Sequence, residues 1–332
     1  MTKRSILVTG GAGYIGSHVV RQLGETHEKV VVLDNLGKGF RQAVTAGELV
    51  VGDVGDQALV SRLMAEHEVD TVMHFAAHTI VPESVAQPLK YYGNNTCATR
   101  SLLQACIENR VQNFVFSSTA AVYGVPSDGY ASEESPTAPI NAYGTSKLMS
   151  EWMLRDVAAV NPLRYVALRY FNVGGSHPGG LIGQSTPGAT LLTKAACEAM
   201  VGKRSHVSVF GTDYPTPDGT GVRDYLHVED LAAAHLNALA YLRNGGKPTI
   251  LNVGYGHGYS VREVLRMVEK VAGKPLNIRE EPRRLGDPAH LVARAERVRS
   301  ELGWQPRYDD LSAIVSSSLA WERKLLQDPW KN

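Results

Sequence analysis

Little in this chain ties it to a partner through bulk charge or covalent cross-links. Its 332 residues carry 34 Lys and Arg against 33 Asp and Glu, a net charge of +1. That balance gives no electrostatic reason for binding nucleic acid or an anionic membrane. Cysteine is scarce, with only Cys97, Cys106 and Cys197. Three scattered thiols make neither a disulfide framework nor a metal-ligand cluster, so no metal is expected. No apolar run approaches the roughly 20 residues of a membrane-spanning helix. Residues 1–9 lead into an apolar strand pattern without a signal-peptide core, so the expected setting is a reducing cytoplasm. What remains is an ordinary globular composition, 43% apolar and 20% charged, long enough for one large core or two domains.

The pattern that is present alternates strand and helix. Apolar, β-branched runs at Ser5–Thr9, Val30–Leu33, Leu49–Val51, Thr71–Phe75, Asn113–Ser117 and Tyr165–Arg169 read as strands. Helical patterns separate them, including long ones at 92–109 and 143–158, and a Pro/Ser/Gly-rich loop covers 125–140. Such alternation predicts an α/β fold, a Rossmann-type doubly wound parallel sheet. After Asn172 the texture changes to Gly, Pro, Ser and Thr in 173–190 and 211–221, which read as long, function-bearing loops. The expected division is therefore residues 1–172 and a smaller, loop-rich α/β domain over 173–332. The chain is expected to return to the large sheet around 226–253.

Gly10, Gly13 and Gly16 join the first strand to the first helix. Glycines there allow a tight turn, backbone approach to a pyrophosphate and close helix–sheet packing, with the helix N-terminus facing the anion. Asp34 ends the next strand, eighteen residues on, where a carboxylate binds both hydroxyls of an adenine ribose and repels a 2′-phosphate. NAD is the expected cofactor, although Lys38 and Arg41 lie close by in sequence. Downstream, Tyr143 and Lys147 are four residues apart and share one helix face. A phenol titrates near pH 10, and an adjacent ammonium is expected to lower that value until the phenolate serves as a base. The spacing alone equally describes an amphipathic tyrosine beside a solvated lysine. Next to a nicotinamide it becomes an oxidoreductase pair.

With these residues in hand, the sequence resembles the extended short-chain dehydrogenase/reductase superfamily, and within it the UDP-galactose 4-epimerase family, from Leu7 to about Trp304. The motifs carrying the resemblance are Val8-Thr9-Gly10-Gly11-Ala12-Gly13-Tyr14-Ile15-Gly16-Ser17-His18, Leu33-Asp34-Asn35-Leu36, His74-Phe75-Ala76-Ala77, Tyr143-Gly144-Thr145-Ser146-Lys147, Arg169-Tyr170-Phe171-Asn172 and Gly219-Thr220-Gly221-Val222-Arg223-Asp224-Tyr225. It implies NAD-dependent inversion of C4 of a UDP-hexose through a transient 4-keto sugar, with no net redox change. Tyr143 is then the proton acceptor and donor, Lys147 its electrostatic support, and Thr119 a hydroxyl bonding the moving proton. Around the cofactor the resemblance implies Tyr14, Ile15, Asn35, Asp53, Val54, Phe75, Ala76, Ala77, Asn94, Ser117 and Tyr170. Around the UDP-sugar it implies Asn172, Leu191, Phe210 on the uracil, Arg223 and Arg284 on the pyrophosphate, Tyr225, Asp287, and Leu291 beside the sugar. It further implies a homodimer joined by a four-helix bundle of the 92–109 and 143–158 helices, with Leu102, Leu103, Leu148 and Met149 as its apolar residues.

Some positions depart from the family pattern. Thr79 stands where a lysine is common. The segment Ala189-Thr190-Leu191-Leu192 replaces a polar stretch near the uridine, with Lys194 close enough in sequence to restore a charge. Arg283 beside Arg284 leaves the register of that pair open. A nucleotide-sugar 4,6-dehydratase is disfavoured, because that reaction needs an Asp-Glu pair directly after the catalytic threonine and Thr119 is followed by Ala120-Ala121. The alternatives are a 4-epimerase of another UDP-sugar (N-acetylglucosamine, xylose/arabinose or glucuronate) and a non-catalytic NAD-binding regulatory protein.

Overall fold

The computed structural model describes residues 5–284 and 287–330. Seven parallel strands form one sheet in the spatial order Thr249–Val253, Arg164–Tyr170, Asn113–Ser117, Val69–His74, Ser5–Thr9, Lys29–Asp34 and Glu48–Val51. The strands alternate their side chains between two cores. Ile6, Val8, Val30, Val32, Val166 and Leu168 enter the core on one face, while Leu7, Val31, Leu33, Tyr165 and Ala167 enter the core on the other. This is the period-two pleat of a sheet covered on both sides, and it explains why these strands read as unbroken apolar runs. Strand order reverses between Ser5–Thr9 and Val69–His74, so the crevice at their carboxyl ends is a topological switch point.

Thr249–Val253 adds the seventh strand at the sheet edge, preceded by the Val228–Arg243 helix. Beyond the large sheet, a four-stranded sheet runs Tyr259–Ser260, Val222–Arg223, His290–Ala293 and Tyr130–Ala131. The last of these lies in the stretch read from sequence as loop. Two-residue strands are too short to show periodicity, so only their partners reveal them.

Two helical readings change. The 92–109 segment is a π-helix over Tyr92–Cys97 followed by an α-helix over Ala98–Glu108. In the wide turn Asn95 faces inward; its side chain accepts from His78 N at 2.8 Å and donates to His78 O at 3.0 Å and Ser146 Oγ at 3.1 Å. The residues expected on the bundle face are also mostly elsewhere. Leu102, Leu103 and Leu148 belong to the chain's own cores and are at most 3% exposed. Each is packed among the chain's own core residues. Met149 and Trp152, 36% and 47% exposed, are large apolar side chains left outside on the Ala142–Val160 helix, with Val160 exposed at its end.

Candidate active site

After Thr9 the chain turns through Gly10 in the left-handed region, φ 73°. A Cβ on Gly10 would lie 2.5 Å from Ala76 N, and one on Gly16 would lie 2.3 Å from Gly10 O. Both obstacles are backbone, so only glycine lets the Tyr14–Glu25 helix start so near the sheet. That helix has Gly13 at its N-cap, no side-chain cap and no acid in its first turn. Its leading N–H groups are free for an anion. Asp34 is buried, and its carboxylate accepts from Ala12 N at 2.9 Å and Leu36 N at 2.8 Å. Burial pushes this carboxyl up and the two backbone bonds oppose the shift. Each oxygen keeps a lone pair for a further donor. Asn35 donates to Asp53 at 3.1 Å and so ties the ends of two strands together, with Val54 buried alongside. Free amides beside a glycine turn, followed by a buried carboxylate, suit a dinucleotide's pyrophosphate and ribose.

A cleft of about 1150 Å³ opens from this turn. Small-molecule pockets span roughly 300–1,000 Å³, so this one has room for two ligands side by side. Gly10, Gly13, Tyr14, Ile15, Gly16, Phe75 and Ala77 line it, together with Ser117, Thr119, Tyr143, Lys147 and Tyr170. Asn172, Leu191, Phe210, Arg223, Tyr225, Arg284, Asp287 and Leu291 also line it. Residues over two hundred positions apart are thus walls of one space. Six expected residues are not on its walls. Asp34, Asn35, Asp53 and Val54 gather at the ends of the second and third strands, Ala76 stands behind Gly10, and Asn94 donates to Asn95 at 3.0 Å.

The Ala142–Val160 helix starts at Asn141, whose side chain accepts from Gly144 N at 2.9 Å. Tyr143 and Lys147 share its inward face and are 8% and 3% exposed. Lys147 Nζ donates to Ser117 O at 2.8 Å and sits 4.9 Å from the Phe116 ring centre. Burial pushes the lysine down to about 7, with Glu151 opposing. The tyrosine does not follow the expectation from spacing. Burial raises Tyr143 above its ordinary value, and the opposing influence is the nearby Thr119 side chain. A lysine that titrates near neutrality, turned toward a carbonyl, gives the phenolate less support than a full ammonium would. A cationic ring bound beside the phenol would supply what is missing. Tyr170 and Ser117 exchange a short hydroxyl–hydroxyl bond next to this group.

On the other wall, Arg223 pairs with Asp287 at 3.3 Å, and the Arg284 guanidinium lies 3.6 Å from the Phe210 ring centre. Arg283 instead bonds Asp213 and stacks over Tyr214, which gives Arg284 the cleft-facing place. Leu291 is the strand partner of Arg223 and 8% exposed. Lys194 does not restore a charge to the cleft, because it is buried in ion pairs with Glu322 and Glu198. Thr79 does line the cleft, beside His78 and with Lys38 also on the wall. The sequence gives no role to His78, Asn95 or Glu151, all now close to the site. For Glu151 a signal existed, since it continues the four-residue spacing of Tyr143 and Lys147.

Residues 6–254 match the model of the NAD dependent epimerase/dehydratase family. A curated relative, the UDP-glucose 4-epimerase of Azospirillum brasilense, is 54% identical over 97% of this chain and 93% of its own. The crystal structure of UDP-glucose 4-epimerase from Bifidobacterium longum in complex with NAD+ and UDP superposes with a TM-score of 0.91 at 41% identity, covering 96% of this chain and 98% of that one. The UDP-Glc/GlcNAc 4-epimerase of Campylobacter jejuni superposes at 0.85 and 46% identity, over 97% and 99%.

Proposed function

This chain belongs to the NAD dependent epimerase/dehydratase family, and from that membership we propose that it is an NAD-dependent UDP-glucose 4-epimerase that interconverts UDP-galactose and UDP-glucose. One observation carries the reading. A single cleft joins the glycine turn to the Arg223 and Arg284 wall, with Tyr143, Lys147 and Thr119 on the same surface. Bound NAD supplies the acceptor, and later the donor, for the hydrogen on C4. The chain's own residues do the rest. Tyr143 takes the proton from the 4-hydroxyl as its oxygen becomes a carbonyl, and Thr119 bonds that oxygen through its hydroxyl. Arg223 and Arg284 hold the diphosphate through charge-assisted bonds, Asn172 and Leu191 adjoin the nucleotide, and Phe210 flanks the base. Anchored there, the sugar turns its other face, and Tyr143 returns the proton. Ala120-Ala121 offers no acid or base for eliminating water, so the reaction stops at inversion.

The test is purified protein with UDP-galactose and no added NAD, followed for UDP-glucose. Product without added NAD is expected, and none even with NAD present sinks the reading. A second substrate class is supported by the dual name of the Campylobacter jejuni relative. Leu291, of intermediate size beside Arg223, favours the plain hexose. UDP-N-acetylgalactosamine in the same assay decides between them. We place the reaction in galactose metabolism or polysaccharide precursor supply, in the cytoplasm, and take 1–172 and 173–332 as cofactor and substrate domains. Two copies pair through the 92–109 and 143–158 helices, with Met149 and Trp152 on the contact face. A monomer in sedimentation at micromolar concentration would overturn that pairing.

A further inference from the structure

Behind the reactive face, the Ala142–Val160 helix is joined to the end of the Asn113–Ser117 strand by two successive rungs. Ser117 O accepts from Lys147 at 2.8 Å and the Ser118 hydroxyl donates to Glu151 Oε1, while Thr119, the next residue, lines the cleft together with Tyr143. Two consecutive residues of the strand end therefore engage two helix residues spaced four apart. Only the Glu151 rung lies outside the cleft, yet it is the most heavily built. Glu151 is 1% exposed and accepts from Arg169 through Nε at 2.9 Å and through Nη2. Arg169, 5% exposed, belongs to the adjoining Arg164–Tyr170 strand. Its Nη1 donates to Tyr123 Oη at 3.1 Å, and Tyr123 donates to Asn252 at 2.6 Å. A neutral, apolar side chain at 151 would pack this interior with less desolvation. The fold alone does not ask for a buried carboxylate at this point.

Given the proposed epimerase reading, we propose that Glu151, held by Arg169 and Ser118, is a positioning residue that sets the register of Tyr143 and Lys147 against the strand end at Ser117 and places a carboxylate one helical turn from the Lys147 ammonium. The groups facing Lys147 support the electrostatic half of this. They are His74 on the Val69–His74 strand, kept neutral by burial at about 3, the Phe116 ring, the Ser117 carbonyl, and Glu151 on its own helix. Among these, Glu151 is the only one that brings a formal negative charge.

Glu151→Gln, Ser118→Ala and the double variant Glu151→Gln/Arg169→Met test this in the NAD-loaded enzyme. For Glu151→Gln, kcat is expected to fall on the order of 10²-fold, the scale of a 1 Å misplacement, with KM for UDP-galactose nearly unchanged. The alkaline limb of kcat/KM against pH should move to lower pH, because Lys147 loses its proton sooner. Ser118→Ala leaves the ion pair and lowers kcat less, in the same direction. The double variant removes the stranded guanidinium; a positioning role keeps kcat low and the limb displaced, while a purely structural role restores both. Where Glu151→Gln alone fails to fold, Ser118→Ala and the double variant carry the comparison. An activity-independent readout is the ultraviolet phenolate titration, taken as the difference from Tyr143→Phe, whose midpoint should rise in the Glu151 variants. If wild type turns over no UDP-sugar, the proposed function fails while this titration still judges the inference. An unchanged midpoint with wild-type kcat in Ser118→Ala and the double variant overturns it.

Discussion

Tyr143→Phe is expected to lower kcat by roughly 10³-fold, within the 10²–10⁴ range of positioned acid–base groups, while NAD and UDP stay bound at near wild-type strength. The phenol hydroxyl is the one atom removed, and the ring remains packed at 8% exposure against the edge of Tyr91. Losing one hydroxyl's hydrogen bonding costs about 1 kcal/mol of stability, so the variant folds. The pH response makes the assignment specific. Burial holds the Tyr143 phenol above its ordinary value, so the base form grows as pH rises. Wild-type kcat should accordingly climb with pH along its acid limb, and the residual rate of Tyr143→Phe should not. Stopped-flow absorbance of reduced nicotinamide with UDP-galactose separates binding from oxidation in the same experiment. Near-normal turnover would mean that another group, with His78 a titratable candidate on the cleft wall, moves the proton.

The particular residues show which parts of this site sequence can reveal. The glycine turn, Asp34 and the Tyr143–Lys147 spacing are local features, each contained in one strand–turn–helix unit, so their geometry follows from chain order alone. Leu102, Leu103 and Leu148 were apolar for a reason that periodicity does report, but periodicity cannot say which neighbour a stripe faces. Their own cores claim all three. Lys194 looked available because its partners Glu322 and Glu198 lie partly beyond the reach of local pattern. The choice between Arg283 and Arg284 needed Tyr214 and Phe210 in place, since a guanidinium stacks on whichever ring the fold presents. The lysine's weak hold on Tyr143 was illegible for another reason. Spacing gives proximity but not burial, and burial is what pushes Lys147 to about 7.

Gly16→Ala is expected to yield protein that purifies without NAD and has less than about 1% of wild-type turnover unless NAD is supplied in large excess. The added methyl would sit 2.3 Å from Gly10 O, 2.9 Å from Gly11 Cα and 3.0 Å from the Gly10 carbonyl carbon. All three are backbone atoms of the turn, so no rotamer relieves the contact. Real Cβ contacts seldom fall below 3.4 Å, so the Tyr14–Glu25 helix must retreat from Gly10 by about 1 Å. A displacement of that size costs on the order of 10²-fold where several bonds must align at once. Here it withdraws the uncapped N–H groups that would meet the pyrophosphate. Overpacking of this kind costs roughly 1–3 kcal/mol, which a core of this size survives, so loss of cofactor rather than loss of fold is the expected phenotype. Gly93→Ala is the control, because a Cβ there meets nothing within 4 Å. The absorbance ratio at the nucleotide and protein bands, with thermal melts of both variants, reads the outcome. Full NAD content in Gly16→Ala would mean that the dinucleotide does not rest on this turn, and the cofactor site would have to be sought elsewhere in the cleft.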